Sequence, residues 1–242
     1  MRFDATADLG RSGLAWWPLR TVLAGYRAAP TRRVIAIWGV STAAAIGLAL
    51  LEARLNWSGM PIHLGGWTLG FSVYPPGLIG VLLTLWIGPA FGATTAYLAT
   101  LASGLYSGLS VPRAAFFALG SPIELLLLWF LLLILRVQPD LPRLRDWGLF
   151  AVAAMIAATA SSVDIMLYNA ALRTALDEGQ RLWLGWILGD VFQMVALAAP
   201  LLWLTGNQVQ SWLRDAVGVP PQRETSTTKM LLLLLFVWAT LG

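Results

Sequence analysis

From Val34 to Leu51 the chain runs for 18 residues without a charged side chain, and from Ser72 to Leu109 for 38 more. Eighteen helical residues extend about 27 Å, close to the roughly 30 Å thickness of a bilayer's hydrocarbon core. Such runs constrain the fold severely, because a backbone in lipid must satisfy its own polar groups, which only helices and closed barrels do. The runs lack the apolar/polar alternation of barrel strands. The reading is therefore an all-α integral membrane protein, a polytopic bundle of seven to eight transmembrane helices. Composition agrees: 58% of the 242 residues are hydrophobic and only 12% are charged, where soluble domains carry about a quarter.

The expected spans are 34–51, 72–90, 91–109, 114–135, 147–170, 183–204 and a last one from 230 to 242. Residues 1–33 carry six arginines and the Trp16-Trp17-Pro18 cluster, and read as a basic, amphipathic segment on the cytoplasmic surface. Residues 34–242 then form the membrane domain. The N-terminal segment and the loops 136–146 and 205–229 hold twelve of the sixteen Lys and Arg, while loops 52–71, 110–113 and 171–182 hold four. The positive-inside rule puts the N-terminus in the cytoplasm. Met230–Gly242 supplies 13 residues, or about 20 Å of helix, so the last span reads as truncated, with a longer parent expected to finish it. The net charge of +4 is accounted for by these topology charges, and no nucleic-acid partner is expected; membrane lipids are.

Cysteine is absent and His63 is the sole histidine, which excludes disulfides, thiolate metal sites and bis-histidine haem. No metal or cofactor is expected. Nucleophile elbows, His-Glu-x-x-His helices and phosphate loops are missing, so no catalytic residue is assigned.

Three acids, Glu124, Asp164 and Asp190, fall inside expected spans that contain no Lys or Arg. Acids at membrane depth are costly and face the bundle interior, where they fix packing, bind a proton or cation, or anchor a ligand. Trp186 and Gln193 share a helical face with Asp190, and Trp186, one turn earlier, is matched to it as a hydrogen-bond donor. Asn169 accompanies Asp164. Tyr74 and Pro76 open the second span, and the outer loop 52–71, with Trp67, is read either as a lid or as an interfacial anchor. Small residues recur at every fourth position through Gly88, Gly92, Ala96, Thr100, Gly104 and Gly108, and again on the fifth span at Ala153, Ala157 and Ser161. These ridges are read as helix-packing surfaces, the first also as a place to look for a partner.

The stretch Trp183-Leu-Gly-Trp-Ile-Leu-Gly-Asp190 with the later Pro200-Leu201, the start Tyr74-Pro-Pro-Gly-Leu78, and Gly120-Ser-Pro-Ile-Glu124 together resemble the first type of membrane-associated sensor (MASE) domain. The resemblance covers residues 60–205, with Gln193 where the family has glycine and Tyr74 where tryptophan is usual. It implies a sensory input domain without enzymatic activity of its own, ahead of a histidine-kinase or cyclic-di-GMP output that is absent from this chain. It further implies a homodimer, and a stimulus that is a small molecule or a transporter-like membrane partner. The other reading is a transporter subunit that captures a small molecule.

Overall fold

The computed structural model describes residue 17 and residues 19–25, 29–55, 60–64, 67–71, 73–162 and 176–217. These form helices α1 (Leu19–Ala24) and α2 (Ala29–Leu55), strands β1 (Met60–Leu64) and β2 (Trp67–Phe71), and helices α3 (Pro75–Trp86), α4 (Pro89–Tyr106), α5 (Val111–Phe117), α6 (Gly120–Ile134), α7 (Leu144–Ser161) and α8 (Leu176–Phe192). A π-helical segment, Gln193–Ala198, joins α8 to α9 (Ala199–Val217). Among the described residues three helical stretches are long and apolar enough to cross a membrane: Thr31–Leu55, Val111–Ile134 and Trp183–Val217.

Proline explains the interruptions. Pro75 and Pro76 begin α3, where a missing N–H costs nothing. The span expected over 114–135 is broken, because Pro122 cannot donate to the Ala118 carbonyl and its ring crowds that turn; α5 stops at Phe117 and α6 restarts at Gly120. Likewise Pro200 cannot donate to Ala196, and just before it the helix widens, with Ala199 N–H donating back to Met194 O. The region read as a loop at 52–71 is instead structured at both ends: α2 continues through Leu55, and β1 and β2 pair antiparallel from Met60 with Phe71 to Leu64 with Trp67. The fold is helical, as expected, and among the described residues one antiparallel strand pair accompanies the bundle.

Helix α4 packs against α2, α3 and α6, and its small-residue row makes this crowding feasible. A Cβ on Gly92 would collide with the Thr84 hydroxyl and the Gly80 carbonyl of α3. Gly88, Gly92, Ala96, Thr100 and Gly104 are buried inside the bundle, so this row is used internally and is not available to a partner; only Gly108 is exposed. The α7 row behaves similarly: Ala153, Ala154, Ala157 and Ala158 are fully buried, on a helix packed against α6 and α8. Polar links reinforce the approach. Trp38 Nε1 donates to Phe91 O (3.2 Å) and Thr95 Oγ1 (3.1 Å), and the Thr42 and Thr95 hydroxyls share a 2.7 Å bond.

The bundle has two distinct ends. At one, Trp17 N–H donates to Ile87 O (2.9 Å) and Gln210 Nε2 to Trp86 O (2.7 Å), and a Cβ on Gly206 would stand 3.1 Å from Asp140 Cβ. Trp17 and Val22 are buried there with Val34, Phe91 and Leu213, while Leu23, Arg32 and Arg33 stay exposed. The α3–α4 turn, the α6–α7 connection and the second half of α9 therefore gather at this end. The candidate site lies toward the other.

Candidate functional site

Tyr74 precedes α3, and the Gly77 N–H bonds back to its carbonyl (2.8 Å), which sets the phenol toward α4. Its hydroxyl bonds Thr100 Oγ1 (3.2 Å), which in turn bonds Ser121 Oγ on α6 (2.9 Å). Tyr74 and Ser121, the two ends of this hydroxyl chain, line a cavity of about 20 Å³, whose wall also includes Glu124 of α6, Trp186 and Asp190 of α8, and Gln193 at the start of the π segment. A neighbouring cavity of about 10 Å³ shares Ser121, Glu124 and Trp186 and reaches Phe117 and Ser161. Each has room for roughly one water molecule.

The site is acidic and buried. Glu124 is 9% exposed and Asp190 7%, and among the described residues neither cavity wall contains a Lys, Arg or His. Glu52, on the last turns of α2 and 6% exposed, lies close enough to act electrostatically on Tyr74, as does Asp190. Gln193 is 2% exposed, and its Oε1 accepts no hydrogen bond among the described residues. Its amide sits against the backbone of α3: a Cβ on Gly77 would lie 2.9 Å from Gln193 Nε2.

Five of the residues expected from sequence thus meet around one cavity: Tyr74, Glu124, Trp186, Asp190 and Gln193. The expected pairing of Trp186 with Asp190 is not what forms. The Trp186 ring instead meets Phe117 edge-on, with centroids 6.1 Å apart, so the indole braces α8 against α5. Trp183 takes the polar link, donating to Ser162 Oγ of α7 (2.7 Å). Pro76 is buried in the first turn of α3 and shapes the wall's start without lining it. Trp67 stands on β2 opposite Leu64, in a strand that packs against α8. Asp164 and Asn169 lie outside the described residues.

Glu52, Thr100, Ser121 and Ser161 were not singled out as site residues by sequence. Glu52 directly follows the apolar run 34–51 and looks like its boundary, although Leu50-Leu-Glu-Ala-Arg-Leu55 is made of strong helix formers and continues α2. In the sequence Thr100 is one of a row of small residues, and Ser121 is part of the Gly120–Glu124 stretch.

What this arrangement can do chemically is limited by volume and charge. Among the described residues no group of three or more His, Cys, Asp or Glu is placed to hold a metal ion. The wall offers acceptors in excess of donors, in a space too small for an organic metabolite. The fold and site define a helical protein in which three helices among the described residues are long and apolar enough to cross a membrane, with an acid-lined polar pocket inside the bundle. Comparison with models of known protein families, with curated proteins and with solved structures returned no match.

Proposed function

We propose that this chain is a multi-pass sensory input module of a bacterial inner membrane, of the MASE type, with its N-terminus in the cytoplasm and its stimulus read at the Glu124–Asp190–Gln193 pocket. The observation that carries the reading is the convergence of buried acids from α2, α6 and α8 around Tyr74 and the cavity it lines. Costly groups of this kind at membrane depth belong to function more often than to packing. The end that gathers Trp17, Ile87, Asp140 and Gly206 joins the arginine-bearing segments, which supports a cytoplasmic side there. The pocket then opens toward the outer half of the bilayer.

In this reading a stimulus favours one of two helix arrangements, and the continuous α8–π–α9 rod carries the shift inward to an output beyond this chain. Trp183–Val217 spans 35 residues, about 52 Å of helix, enough to cross and project into the cytoplasm. The chain itself performs no catalysis, and dimerisation is part of the proposal through its kinase or cyclase output. The seven- or eight-span count, including a last span over 230–242, belongs to the same proposal. Capture of a small-molecule substrate is favoured less, because the pocket's roughly 20 Å³ is far below the 300 Å³ or more of typical small-molecule sites.

The test is the output activity of the full-length parent in cells, wild type against Asp190→Ala, across ionic and chemical stimuli. Loss or locking of the response in the variant, at normal membrane levels, is the expected result. An unchanged response to every stimulus that moves the wild type would sink the assignment of Asp190 to sensing.

A further inference from the structure

We infer that the groove between the start of α7 and the first turns of α9 binds one anionic phospholipid of the inner leaflet, with an acyl chain along its apolar walls and the phosphate on Arg143. The inference goes beyond the sensory reading: it needs the chain to span a membrane and does not need Asp190 to sense anything.

The groove is open and encloses about 410 Å³, within the range of about 300–1,000 Å³ that holds organic ligands. Leu141, Leu144 and Trp147 form one wall, and Pro200 and Trp203 the other. Leu144 is 89% exposed and Trp203 56%, so both carry apolar surface for an occupant to cover. The frame of the groove is preformed. Leu141 is buried with φ 45°, a left-handed conformation uncommon outside glycine, and Trp147 Nε1 donates to its carbonyl (3.0 Å). Pro142 follows with its φ fixed by the ring. On the facing side Asp140 lies so close to Gly206 of α9 that a Cβ there would stand 3.1 Å away, which ties the connection to α9 before any ligand arrives.

Depth and charge select the occupant. Trp203 follows Trp183 by 20 residues, about 30 Å of helix, which is one hydrocarbon thickness. In the proposed orientation the groove therefore falls at the inner boundary of the bilayer, where tryptophan is favoured. Arg143 lines the groove and is exposed, and Arg136 and Arg145 are exposed on the same stretch of chain. The acids of that stretch are less accessible, Asp146 being buried and Asp140 half-buried. A guanidinium binds phosphate oxygens through two parallel hydrogen bonds, and basic pockets between helices on the cytoplasmic side suit anionic headgroups. A second copy of the chain fits this groove less well, because a stable protein interface takes about 20–30 residues a side.

The experiment is the melting temperature of the purified chain in detergent, titrated with phosphatidylglycerol, with phosphatidylcholine of the same acyl chains, and with glycerol 3-phosphate. A saturable rise with phosphatidylglycerol alone is expected. Arg143→Ala should raise the half-saturating lipid concentration by about fivefold, the worth of one basic residue at an anionic surface, and Arg143→Lys should recover part of that loss. Trp203→Ala should raise it as well, by removing part of the apolar wall. Both side chains are exposed, so neither change empties the core. Arg33→Ala, at an exposed position of α2 off the groove, should leave the half-saturation point where it is. Equal responses to the two lipids, or equal weakening by Arg143→Ala and Arg33→Ala, would reduce the effect to diffuse attraction and overturn the site. A rise with glycerol 3-phosphate would assign an anion site indifferent to the acyl chain and overturn the lipid. Variants that change the oligomer size and leave the lipid response intact would give the groove to a second copy, with the same consequence. Recovery of the chain in the soluble fraction of cells would remove the membrane reading itself, whereas a membrane-embedded chain with no lipid response removes the groove's occupant alone.

Discussion

Two helices of this bundle close with the same hydrogen-bond pattern but different residues at its left-handed position. At the end of α4, Gly108 (φ 87°) sits between Leu109 N–H bonded to Gly104 O (3.0 Å) and its own N–H bonded to Leu105 O (3.1 Å). At the end of α6, Arg136 (φ 53°) occupies that position, with Val137 N–H on Leu132 O (3.0 Å) and Arg136 N–H on Leu133 O (3.2 Å). This is the Schellman closure, which glycine accommodates without strain. A side chain there costs about 1–2 kcal/mol, partly offset by the lower chain entropy of the unfolded state. Gly108 has open space around it, so Gly108→Ala should lower stability by about 1 kcal/mol through the backbone alone. Arg136→Gly should raise it by up to about 1 kcal/mol. Melting temperatures in detergent check both signs. The residue-level site was legible where a polar group interrupts an apolar run, as at Glu124, Asp190 and Gln193. It was not legible at Glu52, where a charge next to a loop looks like a boundary, nor at Thr100 and Ser121, whose hydroxyls look like ordinary small packing residues. The spacing of Trp186 and Asp190 gave a shared face but could not reveal that Phe117 would claim the indole.

At the scale of elements, close approach matters more than apolar burial, because lipid is as apolar as the helix surface and offers no hydrophobic drive to associate. Interhelical hydrogen bonds such as those of Trp38 and Thr42 to Thr95 contribute only about 0.6 kcal/mol each on average. A lost contact along α3 and α4 should therefore outweigh any one of them. Gly92→Ala, which forces a methyl into Thr84 and the Gly80 carbonyl, should cost about 1–3 kcal/mol or more. Gly39→Ala, on an exposed face of α2 with nothing within 4 Å of the new methyl, should be neutral or slightly stabilising. Equal melting temperatures for the two variants would contradict the tight α3–α4 crossing. The small-residue rows were visible in the sequence, and so were most helix positions. The breaks were harder to see: Pro122 and Pro200 lie in runs whose hydropathy never falters, and a hydropathy pattern carries no trace of a lost backbone donor. The strand pair was hidden for the opposite reason, since two five-residue strands separated only by Gly65-Gly66 look like loop until their pairing is seen.

For the whole molecule, the contacts separate a basic end from an acidic pocket. The α3–α4 turn, the α6–α7 connection and the end of α9 meet near Trp17, and the hydroxyl chain, Glu124 and Asp190 lie toward the opposite end. Arginine placement is written directly in the sequence, and the proposed orientation follows from it; the depth and shape of the pocket depend on how helices cross and are not written there. The absence of cysteine provides a clean background for the most direct test of a membrane-spanning bundle with its pocket facing outward. Single cysteines at Ser110, exposed between α4 and α5, and at Gln208, exposed on α9, would be treated with a membrane-impermeant maleimide in intact and then permeabilised bacterial cells, after breaching the outer membrane. Ser110→Cys should label in both, and Gln208→Cys only after permeabilisation. Labelling of both positions from the same side would contradict the bundle's orientation, and with it the placement of the pocket in the outer half of the bilayer.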